Sequence, residues 1–127
     1  HPNTYLCKKD IRTLSNDEIP DCDGFIGGPP CQPWSEGGKQ LGLKDDRGKL
    51  FLDYLRLIKE KHPKFFIIEN VKGIIGYKHF HTFLNLVYYL FITLNSNLIQ
   101  TMYAYIFRCK DTNNYLITTF FGEKRYH

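Results

Sequence analysis

Cys31 stands directly after Gly27, Gly28, Pro29 and Pro30, which themselves follow a short apolar run. Two glycines allow a sharp exit from a strand and close approach of another molecule to the backbone. Two prolines fix their own φ angles and bias the residues before them toward extended conformations. A thiol presented so rigidly is a candidate nucleophile; the competing reading is an inert, buried cysteine. Glu69 ends a second apolar run, Phe65 to Ile68. A carboxylate entering an apolar sheet has its charged form disfavoured, which makes it a candidate acid near neutral pH, unless it caps a helix or pairs with Lys72. Its neighbour Asn70 can orient it or satisfy loop backbone groups. Asp10, at another expected strand end, can accept hydrogen bonds from a ribose or an adenine amine. Residues 36–47 carry Gly37, Gly38 and Gly42 among charged side chains with little to bury, the composition of a mobile lid or of an idle surface loop. The five histidines are scattered, and His79 and His81 are read as solvated surface.

These groups need elements to hold them. Short β-favouring runs occur at Thr4 to Cys7, Gly24 to Ile26, Phe65 to Ile68 and Leu98 to Ala104. Leu50, Phe51, Tyr54, Leu55, Leu57 and Ile58 follow the spacing of one buried helical face, with Asp45 and Asp46 placed to cap its start and Pro63 to end it. A second helix is expected over Phe80 to Leu94, stopped by Asn95-Ser96-Asn97. Strands alternating with helices imply parallel pairing, hence an α/β fold with a doubly wound, mostly parallel sheet. The unbroken apolar run at Phe65 to Ile68 predicts a central strand buried on both faces. Ligands of such sheets sit outside the carboxyl ends of the strands, which directs attention to Lys8-Lys9-Asp10, to the Gly27–Cys31 run and to Glu69-Asn70.

The chain's 127 residues fit a single domain. A net charge of +4 permits an anionic partner without identifying nucleic acid. Twelve of its 20 aromatic residues follow residue 79, in a stretch with only six charged side chains, so the two parts differ in character. The longest apolar run, Phe83 to Leu94, is interrupted by Asn85 and Thr93 and falls short of the ~20 residues that span a bilayer, so no membrane partner is expected. Cys7, Cys22, Cys31 and Cys109 form no C-x-x-C pair, and no histidine spacing completes a zinc site, so no metal is expected. The opening polar stretch is unlike a secretory signal, and reduced thiols in the cytoplasm are the expected state.

Gly27-Gly28-Pro29-Pro30-Cys31-Gln32-Pro33-Trp34-Ser35, then Asp46-Arg47-Gly48-Lys49-Leu50-Phe51, then Pro63-Lys64 and Glu69-Asn70-Val71-Lys72-Gly73 resemble the DNA cytosine-5 methyltransferase family, in particular restriction–modification enzymes of the HaeIII methyltransferase kind. The resemblance is strong over residues 5–76. It implies a Rossmann-like methyltransferase domain that uses S-adenosyl-L-methionine as methyl donor and acts, as a monomer, on double-stranded DNA. Cys31 would add to carbon 6 of a flipped-out cytosine while Glu69 protonates ring nitrogen 3. Asp10 and Ile11 would contact the donor's adenine, with Pro30 and Leu50 as further donor contacts. Gln32, Ser35 and Arg47 belong to the loop that closes on DNA, Arg47 as a phosphate contact.

The family's glycine-rich donor loop, ribose-binding acidic residue and target-recognition domain have no counterpart in residues 1–127, so a partial catalytic domain is expected, inactive by itself. Where the family carries two arginines after its next strand, this chain has Asn113 and Tyr115. The alternative is therefore a catalytically inactive fragment or remnant of such an enzyme.

Overall fold

A computed structural model describes residues 4–95, 102–108 and 115–120. Its centre is one four-stranded sheet: β1 (Gly24–Gly27), β2 (Phe65–Val71), β3 (Met102–Arg108) and β4 (Tyr115–Phe120), in that spatial order. β1, β2 and β3 are mutually parallel, and β4 returns antiparallel to β3. Helix α1 (Asp46–Lys61) connects β1 to β2, and α2 (Phe80–Asn95) lies between β2 and β3. The α/β, mostly parallel architecture expected from the alternating elements is thus present.

Asp45 caps α1, its side chain accepting a hydrogen bond from the Arg47 backbone N–H at 2.9 Å. The helix stops at His62, which adopts the left-handed conformation (φ 48°) and donates its N–H to the Ile58 carbonyl at 3.0 Å. Pro63 follows and cannot continue the helix. Phe51, Tyr54, Leu55 and Ile58 form the buried stripe, against Phe66 and Ile68 of β2 and Phe83 and Leu90 of α2. Burying each large apolar side chain of this kind contributes about 1.5–3 kcal/mol. The Phe51 and Phe83 rings lie 6.4 Å apart, so both helices cover the same face of the sheet, one half of a doubly wound arrangement.

Two expectations change. Along β2, Phe66, Ile68 and Asn70 are buried beneath the helices, whereas Phe65, Ile67 and Val71 are half-buried and Glu69 is exposed. One face is covered among the described residues, not two, and Ile26 on β1 is 74% exposed. Thr4 to Cys7 form no strand, and Tyr5 and Leu6 are exposed. β-favouring side chains make a strand only where a neighbour takes the backbone N–H and C=O groups, and no described strand pairs there. β3 matches the last part of the expected run Leu98 to Ala104 and continues to Arg108; residues 98–101 lie outside the described residues. No helix among the described residues is long and apolar enough to cross a membrane.

The hydrogen bonds from Arg47 lower the Asp45 carboxyl from the ordinary 3.8 to about 2. A depressed folded-state pKa stabilises the fold fully above 3.8, and that contribution disappears as pH falls toward about 2. Asp45→Asn keeps an oxygen for the cap but has no charge to lose. In urea unfolding at a series of pH values, the stability gap between the chain and Asp45→Asn is therefore expected to narrow across that acid window. A gap independent of pH would show that the charge does not contribute.

Candidate active site

The chain leaves β1 through Gly27, whose absent side chain leaves room for the Tyr54 ring; an added Cβ would stand 2.5 Å from it. Tyr54 in turn donates its hydroxyl to the Ile67 carbonyl at 3.0 Å, and burial raises its pKa. Beyond the strand, the carbonyl of Pro29 has no sheet partner. The side chain of Asn70, 1% exposed, supplies one: its Nδ2 donates to Pro29 O at 3.0 Å, while its Oδ1 accepts the Val71 N–H at 2.9 Å. Of the two roles open to Asn70, the geometry shows it satisfying loop backbone groups.

Cys31 follows, half-buried. Its carbonyl accepts the backbone N–H groups of Trp34 and Ser35, each at 3.0 Å, which closes a tight turn directly after Cys31. Pro33 and Trp34 are fully buried, and Pro33 O accepts the Gly42 N–H at 2.9 Å. Two further glycines press on this loop. A Cβ at Gly73 would lie 2.0 Å from Trp34 O, and one at Gly48 would lie 2.0 Å from Gly42 O. No side chain fits at such separations, so backbone packs on backbone at both places. Residues 36–39 are exposed, but Gly42 is buried, so the stretch read as either a mobile lid or an idle surface loop is pinned at its middle.

Glu69 lies on the face of β2 opposite to Asn70. Register places Gly27 beside Ile68, and the Glu69 carboxylate accordingly lies against Gly28, its Oε2 3.1 Å from where a Cβ would be. The carboxylate and the base of the Cys31 loop are thus neighbours at the carboxyl ends of adjacent strands. The burial expected to disfavour its charge is not present among the described residues, because the strand's outer face is open.

Asp10 and Arg47 follow one local pattern. Asp10 accepts the Arg12 backbone N–H at 2.9 Å and the guanidinium through both oxygens, at 2.5 to 3.1 Å. Asp45 holds Arg47 in the same way, through the N–H at 2.9 Å and the guanidinium at 2.7 and 3.0 Å. The hydrogen bonds from Arg12 bring the Asp10 carboxyl to about 2. Asp10 therefore presents a firmly ionised acceptor, but one already shared with a guanidinium. Arg56 of α1 donates to Ile11 O at 3.0 Å, and the charges of Asp46 and Asp53 act on Arg12. This turn is thereby drawn to α1, the helix that carries half-buried Leu50. Ile11 packs on the core, Pro30 is half-buried, Ser35 is half-buried and Gln32 is exposed beside Cys31. A fixed anionic acceptor thus lies next to apolar Ile11, with Leu50 on the adjoining helix.

The family model described as C-5 cytosine-specific DNA methylase matches residues 3–104. The chain belongs to that family. Type II methyltransferase M.NgoPII of Neisseria gonorrhoeae is 51% identical to it over 80 residues, covering 62% of this chain and 24% of that protein. M.FnuDI of Fusobacterium nucleatum is 56% identical over 71 residues, 56% of this chain and 21% of its own. M.MthTI of Methanothermobacter thermautotrophicus is 54% identical over 80 residues, 63% of this chain and 24% of its own. The chain thus spans less than a quarter of the length of each of these methyltransferases.

Several residues in or around this candidate site escaped the sequence reading. Arg12 was signalled only by the Asp-x-Arg spacing that recurs at residues 45–47. Gly48 and Gly73 carry no local sign of what will press on them. His79, read as solvated, is 7% exposed and sits against Trp34, because it lies just before α2, where the helix start turns inward over the loop. Asn113 lies outside the described residues.

Asn70→Ala leaves Pro29 O and Val71 N–H without their partner. Unmade buried hydrogen bonds of this kind cost ~1–3 kcal/mol each. The variant should unfold at lower urea, and its Cys31 should alkylate at a changed rate while Cys22 does not. Unchanged Cys31 reactivity would mean that the amide does not hold the thiol.

Proposed function

We propose that this chain is catalytic-domain sequence of an S-adenosyl-L-methionine-dependent DNA cytosine-5 methyltransferase, acting on double-stranded DNA within a restriction–modification system. The observation that supports it best is the adjacency of the Cys31 loop and Glu69 at two neighbouring strand ends, locked by Asn70, in a chain of this family. The names of the relatives above, each a Type II methyltransferase, support the restriction–modification setting.

Carbon 5 of cytosine is a poor nucleophile within an aromatic ring. Addition of the Cys31 thiolate to carbon 6 breaks the aromaticity, and a proton from Glu69 to ring nitrogen 3 neutralises the charge that develops. The electron pair of the resulting enamine then resides at carbon 5. The methyl donor, when bound, supplies an electrophilic methyl group; Asp10, Ile11, Pro30 and Leu50 are the residues that would hold it. Loss of the carbon 5 proton to a base expels the Cys31 sulfur as thiolate, and return of the nitrogen 3 proton to the Glu69 carboxylate restores the neutral ring. Such covalent catalysis divides one difficult step into easier ones. The base must leave the duplex to reach Cys31, and Gln32, Ser35 and Arg47 would contact the DNA around it. Arg47 keeps 59% of its side chain exposed despite its pairing with Asp45, as a phosphate contact requires. A second reading, an inactive remnant, draws support from Asn113 and Tyr115 standing where the family has arginines.

The two readings separate in a protein completed with the flanking segments of one of the relatives above. Duplex DNA carrying 5-fluorocytosine should trap a covalent adduct in the presence of S-adenosyl-L-methionine, because fluorine at carbon 5 cannot leave as a proton does. Cys31→Ser should abolish the adduct and Cys22→Ser should not. No adduct with the unaltered chain would favour the remnant. Glu69→Gln keeps the side-chain size but has no proton to transfer, and should lose turnover by ~10²–10⁴-fold with DNA binding retained. Weakened DNA binding with full turnover of bound substrate would place Glu69 in a structural role.

A further inference from the structure

His79 packs against the loop that carries Cys31 and has no part in the function proposed above. Its ring meets Trp34 edge to face, with centroids 5.2 Å apart and planes at 83°. Its Cε1 and Nδ1 stand 2.9 Å from where a side chain at Gly42 would begin, and Gly42 has a positive φ of 56°. Only a glycine satisfies both conditions, so the loop is shaped around this imidazole. Nε2 of His79 is buried with no partner among the described residues, as is Nε1 of Trp34. Trp34 donates its backbone N–H to Cys31 O at 3.0 Å, and Gly42 donates its own to Pro33 O at 2.9 Å. A two-step path of direct contacts therefore runs from the imidazole to the backbone of Cys31.

We propose that neutral His79 is a positioning residue for Cys31, holding the nucleophile loop closed through Trp34 and Gly42, and that its protonation releases the loop. From the loop, the groups against the ring are Trp34, Gly42 and the Gln40 backbone, none of them ionisable. The loop's charges nearest the ring, Glu36, Lys39 and Lys44, are exposed, as are Lys72 on the 3-10 turn after β2 and His81 on α2. The charge acting on the ring is Lys78, whose ammonium reaches the Lys39 carbonyl at 3.5 Å, and no carboxylate among the described residues is hydrogen-bonded to it. Burial first, and Lys78 second, lower the His79 pKa below the ordinary histidine value, with hydrogen bonding to the Gln40 backbone opposing them. For a histidine depressed in the closed state, closure is unpenalised above the ordinary value and is progressively disfavoured as pH falls below it. Each pH unit by which closure lowers the His79 pKa favours the open loop by about tenfold at acid pH.

Trp34 is the chain's single tryptophan, so its emission reports on this contact without labelling. The experiment uses the 127-residue chain with Cys7, Cys22 and Cys109 replaced by serine, titrated between about pH 5 and pH 8, the range in which histidine changes charge. Trp34 emission and the rate of Cys31 alkylation are followed together. Each is repeated in His79→Phe, which keeps a ring against Trp34 without a titrating group, and in His79→Gln, should the phenylalanine variant fail to fold. The ratio of alkylation rates between chain and variant cancels the titration of the thiol itself. One emission step below the ordinary histidine value is expected, matched by a step in that ratio and absent from the variants. Three results would overturn the proposal: no emission step in the unaltered chain, a step that persists in a folded variant, or an emission step with a flat ratio. Cys31 is taken as the reacting group from the function proposed above, but thiol alkylation needs no methyl transfer, so either idea can fail without the other.

Discussion

Where β1 ends, the backbone must turn through two prolines whose carbonyls no longer face a strand, and one buried amide takes over the sheet's work. Asn70 is suited to this because its terminal group both donates and accepts. Nδ2 reaches Pro29 O from the next strand while Oδ1 satisfies Val71 N–H on its own. An aspartate would lack the donor, and a leucine of similar size would lack both, leaving buried backbone groups unpaired. Cys31, two residues past Pro29, and Glu69, one residue before Asn70, inherit their relative placement from this contact. Their adjacency is a property of the pair of strands and not of either loop alone.

A rigid back and an open front follow from the same construction. Behind the thiol, Trp34 and Pro33 are fully buried, and the glycines at 48 and 73 let neighbouring backbone close to distances that no Cβ permits. In front, Glu69 and Gln32 are exposed and Cys31 is half-buried. The proposed chemistry on a base would need this asymmetry: the attacking atom fixed, and the space before it open to a flat ring. The two Asp-x-Arg turns add a second kind of order at the surface. In each, a carboxylate caps a helical turn and simultaneously orients a guanidinium, so a charge offered to a ligand is aligned before the ligand arrives.

Much of the fold could be read directly from the residues. The helical stripe from Phe51 to Ile58, the Asp45 cap and the stop before Pro63 appear as expected, because helix formation rests on contacts within four residues. The span of α2 was legible for the same reason. Thr4 to Cys7 misled, because a strand needs a partner that its own residues do not specify. The apolar run of β2 misled about coverage: Phe65 and Ile67 mark a face as suited to burial, but whether anything covers it depends on other elements. His79 misled because a polar residue beside a helix start looks solvated until the loop that lies over it is known.

The family and the candidate residues in their order along the chain were legible in the sequence alone: Cys31 after its glycines and prolines, Glu69-Asn70 after an apolar run, and Asp10 and Arg47 as single candidates whose turns were not foreseen. These are short-range patterns, and the backbone conformations they require are set by the residues themselves. Only the tertiary structure decided that Asn70 serves the neighbouring loop, that the Glu69 carboxylate rests against Gly28, that Gly73 meets Trp34 and that His79 stands against Trp34. Each of these joins residues separated by more than 35 positions, and such contacts arise from parallel strand register and helix packing, which no local run of residues encodes.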